Sequence, residues 1–140
     1  MEKCARGVFC RLVLGLVALS HITLGTAAFV PWVSVETLVK VFYQASVSVT
    51  PQLQHIVEMF GVYMFTVGIL SIFALWDPVK NKSIINGIII LLVLRVIQRI
   101  TFADQAWEVF QISSEWYWAQ TILFFIIALV LFLLKPKAES

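Results

Sequence analysis

Four long apolar runs, separated by short polar breaks, set the pattern of this chain: about 8–30, 52–76, 84–102 and 115–134. Each is close to or above the ~20 residues a helix needs to cross the hydrocarbon of a bilayer. Four transmembrane helices are therefore predicted. The breaks carry start and stop signals. Pro31, with Trp32 beside it, ends the first run. Thr50-Pro51 is an N-cap residue followed by proline at the first helical position, and it opens the second. Asp77-Pro78 stops that helix. The link through Lys80 and Lys82 is short, so the second and third spans should form an antiparallel hairpin. Asn81 or Ser83 is expected to cap the third span, and Ser113 or Ser114 the fourth.

The polar breaks hold shorter elements. From Val33 to Thr50 the chain is too polar to span. Ser34 can cap a helix in which Val35, Leu38, Val39, Phe42 and Ala45 recur at helical spacing, with Glu36, Lys40 and Gln44 opposite. An amphipathic helix is predicted, lying flat at the membrane surface or packed over the mouth of the bundle. Asp104 to Ile112 reads as one or two turns of polar-aromatic helix. The predicted fold is all-α: a single integral membrane domain over 1–140, a four-helix bundle with a short interfacial helix after the first span.

Composition agrees. The chain is 61% hydrophobic and 13% charged, with mean hydropathy +0.95, against about 45–50% and 25% in ordinary globular chains. A net charge of +2, not gathered in a patch, is too small to suggest a nucleic-acid partner, and none is expected. Lys3, Arg6 and Arg11 ahead of an apolar run, with Ala27 and Ala28 after it, imitate a secretion signal. The run from Val8 to Val30 is too long for that and contains His21, so it reads as the first span. Lys3, Arg6, Arg11, Lys80, Lys82, Lys135 and Lys137 fall on one side of a four-span arrangement, and Lys40 alone falls in the loops on the other. The excess of cations inside predicts cytoplasmic termini, with segments 31–50 and 103–114 outside. Trp32, Trp76, Trp107, Trp116 and Trp118 sit at span ends or in loops beside them, as an interfacial belt requires. The two cysteines, Cys4 and Cys10, form no CxxC pair and are expected to be free thiols.

The third run, IINGIIILLVLRVIQRITF, carries Arg95 and Arg99 four apart on one face, with Gln98 beside them. A guanidinium at mid-depth costs roughly 2.5–3.5 kcal/mol on insertion scales. Counting from the outer surface places His21, Glu58 and Gln120 at similar depths in the other spans. Glu58 falls level with Arg99, and Arg95 level with Met64. The expected pairing is Glu58 with Arg99. Arg95 is then left to His21, Tyr63, Gln120 or a bound anion. The cluster can be a structural network, or the arginines can snorkel to the outer interface. It can also line an outward-facing pocket for an anionic, lipid-like or quinone-like ligand, with Phe65, Leu91 and Leu92 around its apolar part, or relay protons through His21 and Glu58. Gly15, Gly25, Gly61 and Gly68 are expected to permit close helix contact.

No phosphate loop, zincin pattern or nucleophile motif is present, and no second histidine stands at metal spacing from His21. The run His55 to Phe102, with its glycine-bearing second span, Asp77-Pro78 link and arginine-bearing third span, resembles in layout the DoxX-like group of small bacterial four-helix membrane proteins. That resemblance implies a four-helix bundle and association with a quinone-linked oxidoreductase. It carries over no catalytic residue, and no cysteine pair stands in the membrane for thiol redox chemistry. The leading expectation is a non-catalytic accessory, assembly or stabilising subunit of a respiratory or photosynthetic membrane complex. Its partners are then the lipid bilayer and other membrane subunits or a second copy. Two alternatives are a membrane protein that binds or transports a lipid, quinone or small anion at the cluster, and a quinone-linked oxidoreductase subunit.

Overall fold

In a computed structural model, the described residues are 2–30, 33–45, 48–110 and 112–136, with side chains described from 7 onward except those of 43, 109 and 110. Trp32 and Lys137 thus lie outside the described residues, as do the side chains of Lys3, Cys4 and Arg6. The helices in chain order are α1 (Glu2–Phe29), α2 (Val35–Tyr43), α3 (Pro51–Trp76), α4 (Lys82–Thr101), α5 (Ala103–Phe110) and α6 (Ser114–Leu134). No strand occurs among the described residues. Gly7–Phe29 of α1, together with α3, α4 and α6, is long and apolar enough to cross a membrane. Leu16, Leu19, Ile90, Ile122, Phe132 and Leu133 stand on the outer surface of the bundle, each more than half exposed. Water would penalise such a surface, whereas lipid solvates it. The chain is an integral membrane four-helix bundle.

The expected caps form with one exception. Ser34 Oγ accepts the Thr37 N–H at 3.2 Å, Thr50 Oγ1 the Leu53 N–H at 3.2 Å, and Ser113 Oγ the Trp116 N–H at 3.4 Å. Asn81 stands at the N-cap of α4 but its side chain does not cap it. Its amide turns back and donates to the carbonyls of Phe73 (2.9 Å) and Asp77 (3.1 Å). The carbonyls in the last turn of a helix are short of donors, and the Asn81 amide adds a close bond at Phe73, whose cap N–H from Asp77 is long at 3.5 Å.

The helices do not pack as the short α3–α4 link implied. α3 lies mainly along α1, and α4 mainly along α6; α3 and α4 touch only sparsely. Glycines explain the first pairing. A methyl group on Gly25 would stand 2.5 Å from the Phe65 nitrogen and 2.8 Å from the Gly61 oxygen. One on Gly68 would stand 2.5 Å from Ile22 Cγ1. Without side chains at these positions the two backbones meet, and close backbone approach is what drives helix association in lipid. Gly15 is not part of this: a methyl there would meet Leu75 Cδ1 at an ordinary 3.7 Å.

α4 and α6 meet along matched stripes. Ile85, Ile88, Leu92, Arg95 and Arg99 follow one another at three- and four-residue steps on α4, as do Tyr117, Thr121, Phe124, Ala128 and Leu131 on α6. Near the α3–α4 turn these stripes join Cys10, Leu14 and Val17 of α1 and Ala74 of α3 in one apolar core. Cys10 is a buried free thiol. Toward the α2 end the same stripes become polar and aromatic.

Candidate functional site

Arg99 is only 5% exposed. Its position on the inner stripe of α4 aims it sideways into α6, so it does not snorkel outward. Nε donates to Thr121 Oγ1 at 2.8 Å, and Nη2 donates to the Tyr117 carbonyl at 2.8 Å. The guanidinium lies over the Tyr117 ring, 3.9 Å from its centroid. Tyr117 returns a bond from its hydroxyl to the Arg99 carbonyl at 2.7 Å. Thr121 Oγ1 also donates to the Tyr117 carbonyl at 2.8 Å. Arg99 is in the last turn of α4. There a carbonyl lacks its helical donor and a cation complements the dipole; the Tyr117 hydroxyl supplies the first and the Arg99 guanidinium the second.

Arg95, one turn deeper, is half-buried between aromatic rings. Its guanidinium carbon lies 4.7 Å from the Phe124 centroid and 6.0 Å from that of Phe60. His21 is buried, with Nδ1 2.8 Å from the Val17 carbonyl. A carbonyl can only accept, so Nδ1 carries the proton and Nε2 offers a lone pair in the neutral ring.

The remaining expected members separate. Glu58 does not pair with Arg99: its Oε1 accepts from Gln54 Nε2 at 2.9 Å on its own helix. No ion pair between Glu58 and either arginine occurs among the described residues. The physical reason is the helix pairing, since α4 gives its inner stripe to α6 and touches α3 sparsely. Nor, among the described residues, does a hydrogen bond join Glu58 to His21. Tyr63 is 65% exposed and Gln98 is exposed, so both leave the cluster for the outer surface. Gln120 donates to the Phe42 carbonyl at 2.7 Å, beside the Trp116 indole at 3.0 Å. Together they clamp the end of α2 onto α6. With Val35, Leu38 and Ala45 buried, α2 is packed over the bundle.

Sequence reasoning missed Tyr117 and Thr121 as the partners of Arg99. Their signal was present: with Phe124 they are the one stripe of α6 that places a hydroxyl-bearing pair at the depth of Arg99. Trp107 of α5 closes the group from above, its ring edge-on to Tyr117 with centroids 6.4 Å apart. Its buried Nε1–H has no hydrogen-bond partner.

A cavity of about 350 Å³ opens at this end of the bundle, between the end of α1, the start of α2 and the start of α3. Ser34, Glu36, Gln54 and Glu58 supply its polar wall; neither arginine lines it. Its charge is thus opposite to that of the anion pocket expected around Arg95 and Arg99. No group of three or more metal-ligating side chains occurs among the described residues. Comparison with protein-family models, curated proteins and solved structures found no match to this chain.

Proposed function

We propose that the chain is a non-catalytic integral membrane subunit that assembles with, or stabilises, a larger membrane complex of the respiratory or photosynthetic type. The observation that carries this reading is where Arg99 spends its donors. Two of them go to Thr121 and Tyr117 on the neighbouring helix, so the most buried charge among the described residues ties α4 to α6. A ligand pocket would turn those donors toward open space. The short α2 and α5, with little chain outside the membrane spans, fit a subunit that works by packing against others. The DoxX-like layout agrees and adds a quinone-linked oxidoreductase as the kind of complex.

Replacing Arg99 with glutamine in cells that express the protein tests the reading. A stabilising subunit loses thermal stability and its partners' yield together. A fold that survives while only a bound lipid or quinone is lost supports the ligand-binding alternative. The lysines at the α3–α4 turn favour a topology with both termini on the cytoplasmic side of a bacterial inner membrane. Thiol labelling of intact cells carrying Ser48→Cys or Ser83→Cys checks this: position 48 should react and position 83 should not. The reverse would invert the topology.

A further inference from the structure

The sparse contact between α3 and α4 leaves a hollow of about 300 Å³, walled by Val67 and Leu70 of α3 and Ile84, Gly87, Ile88 and Leu91 of α4. We infer that it seats one acyl chain of an anionic phospholipid from the leaflet at the α3–α4 turn, with Lys80 and Lys82 holding the phosphate. This goes beyond the proposed subunit role and uses a different part of the molecule.

Depth, lining and charge point to that occupant. From Lys82 to Leu91 the helix descends about 14 Å at 1.5 Å per residue. One leaflet of a ~30 Å hydrocarbon core is about 15 Å deep. The hollow therefore begins at the surface and ends near mid-plane, as an acyl chain does. A helix from a partner crosses the whole bilayer. The lining is apolar throughout. At its mouth, Lys80 lies in the turn and Lys82 begins α4. Asp77 is the carboxylate there, and its Oδ1 is turned to the Lys80 backbone N–H at 3.0 Å. Of the other described cations on this side, Arg11 stands on α1, and Lys135 is held by Asn86 Oδ1 at 3.0 Å and by the Phe132 ring. Lys80 and Lys82 remain to meet a headgroup, and each basic residue near a membrane surface favours anionic lipid by about fivefold.

Gly87 makes the hollow testable. A methyl group there meets nothing within 4 Å, so a larger side chain grows into the hollow without striking the protein, and any residue but proline is a better helix former than glycine. The full chain is reconstituted in vesicles of equal parts phosphatidylglycerol and phosphatidylcholine and re-extracted in mild detergent. Lipids that remain bound are counted by native mass spectrometry. The unaltered protein should retain phosphatidylglycerol over phosphatidylcholine by at least about tenfold. Lys80→Gln with Lys82→Gln should bring that ratio below about twofold. Gly87→Leu should reduce retained lipid of both kinds severalfold at an unchanged unfolding temperature. An undiminished ratio in the lysine variant overturns the proposal. So does undiminished lipid in a folded Gly87→Leu variant, or loss of a co-purifying protein in place of lipid. Should Gly87→Leu fail to fold, the lysine variant decides alone.

Discussion

Arg99 and Tyr117 bond each other in both directions: the guanidinium donates to the Tyr117 carbonyl at 2.8 Å, and the Tyr117 hydroxyl donates to the Arg99 carbonyl at 2.7 Å. This reciprocal pair, with Thr121, ties the end of α4 to the start of α6. Tyr117→Phe removes the hydroxyl but keeps the ring under the guanidinium. It should cost about 1 kcal/mol, since hydrogen bonds between membrane helices average about 0.6 and reach about 1.7 kcal/mol. Arg99→Gln loses the ring contact and the bonds to α6, and should cost about 2–3 kcal/mol. Reversible unfolding in mixed micelles measures both. Equal costs would mean that the guanidinium adds nothing beyond the hydroxyl.

Glu58 and Arg99 should behave independently. Glu58→Gln keeps a side-chain acceptor for Gln54 and lies outside the Arg99 network, so alone it should shift stability by no more than about 0.5 kcal/mol. Combined with Arg99→Gln, the two effects should add within about 0.5 kcal/mol. A coupling above about 1 kcal/mol would restore the ion pair expected from their matching depths.

The glycines separate by what they face. Gly25→Ala drives a methyl into the backbone of α3 and should cost about 1–3 kcal/mol. Gly87→Ala points into open space and should be neutral or stabilising by up to about 1 kcal/mol. Similar losses at both positions would contradict the close α1–α3 contact.

Trp107 offers a test of a different sign. Its buried indole N–H has no partner, and such a group carries a desolvation penalty of about 1–3 kcal/mol. Trp107→Phe keeps an aromatic edge against Tyr117 and removes that penalty, so stability should hold or rise. A loss above about 1 kcal/mol would show that a bound group satisfies the N–H in the membrane.

The bundle was legible in the sequence because each span announces itself locally. Thr50-Pro51 and Ser113 cap as their residue types require, and the apolar length of each run needs no knowledge of the others. The site was legible only in part. Arg99 could be recognised as buried from its place on the stripe of Ile85, Leu92 and Arg95. Its partner could not, because depth along a helix does not say which neighbour the helix faces. The short link favoured α3 over α6, and it was outweighed by Gly25, Gly61 and Gly68, which commit α3 to α1. Asn81 misled for a similar reason: an N-cap residue type serves equally well as a donor to the preceding helix.

The particle released from native membranes by mild detergent tests the subunit reading most directly. Its mass and protein composition should show this chain in fixed stoichiometry with other membrane subunits, and Arg99→Gln should lower the yield of the whole particle. A lone chain or homodimer that carries a lipid-like molecule beside Arg95, and keeps its fold in Arg99→Gln, would contradict it.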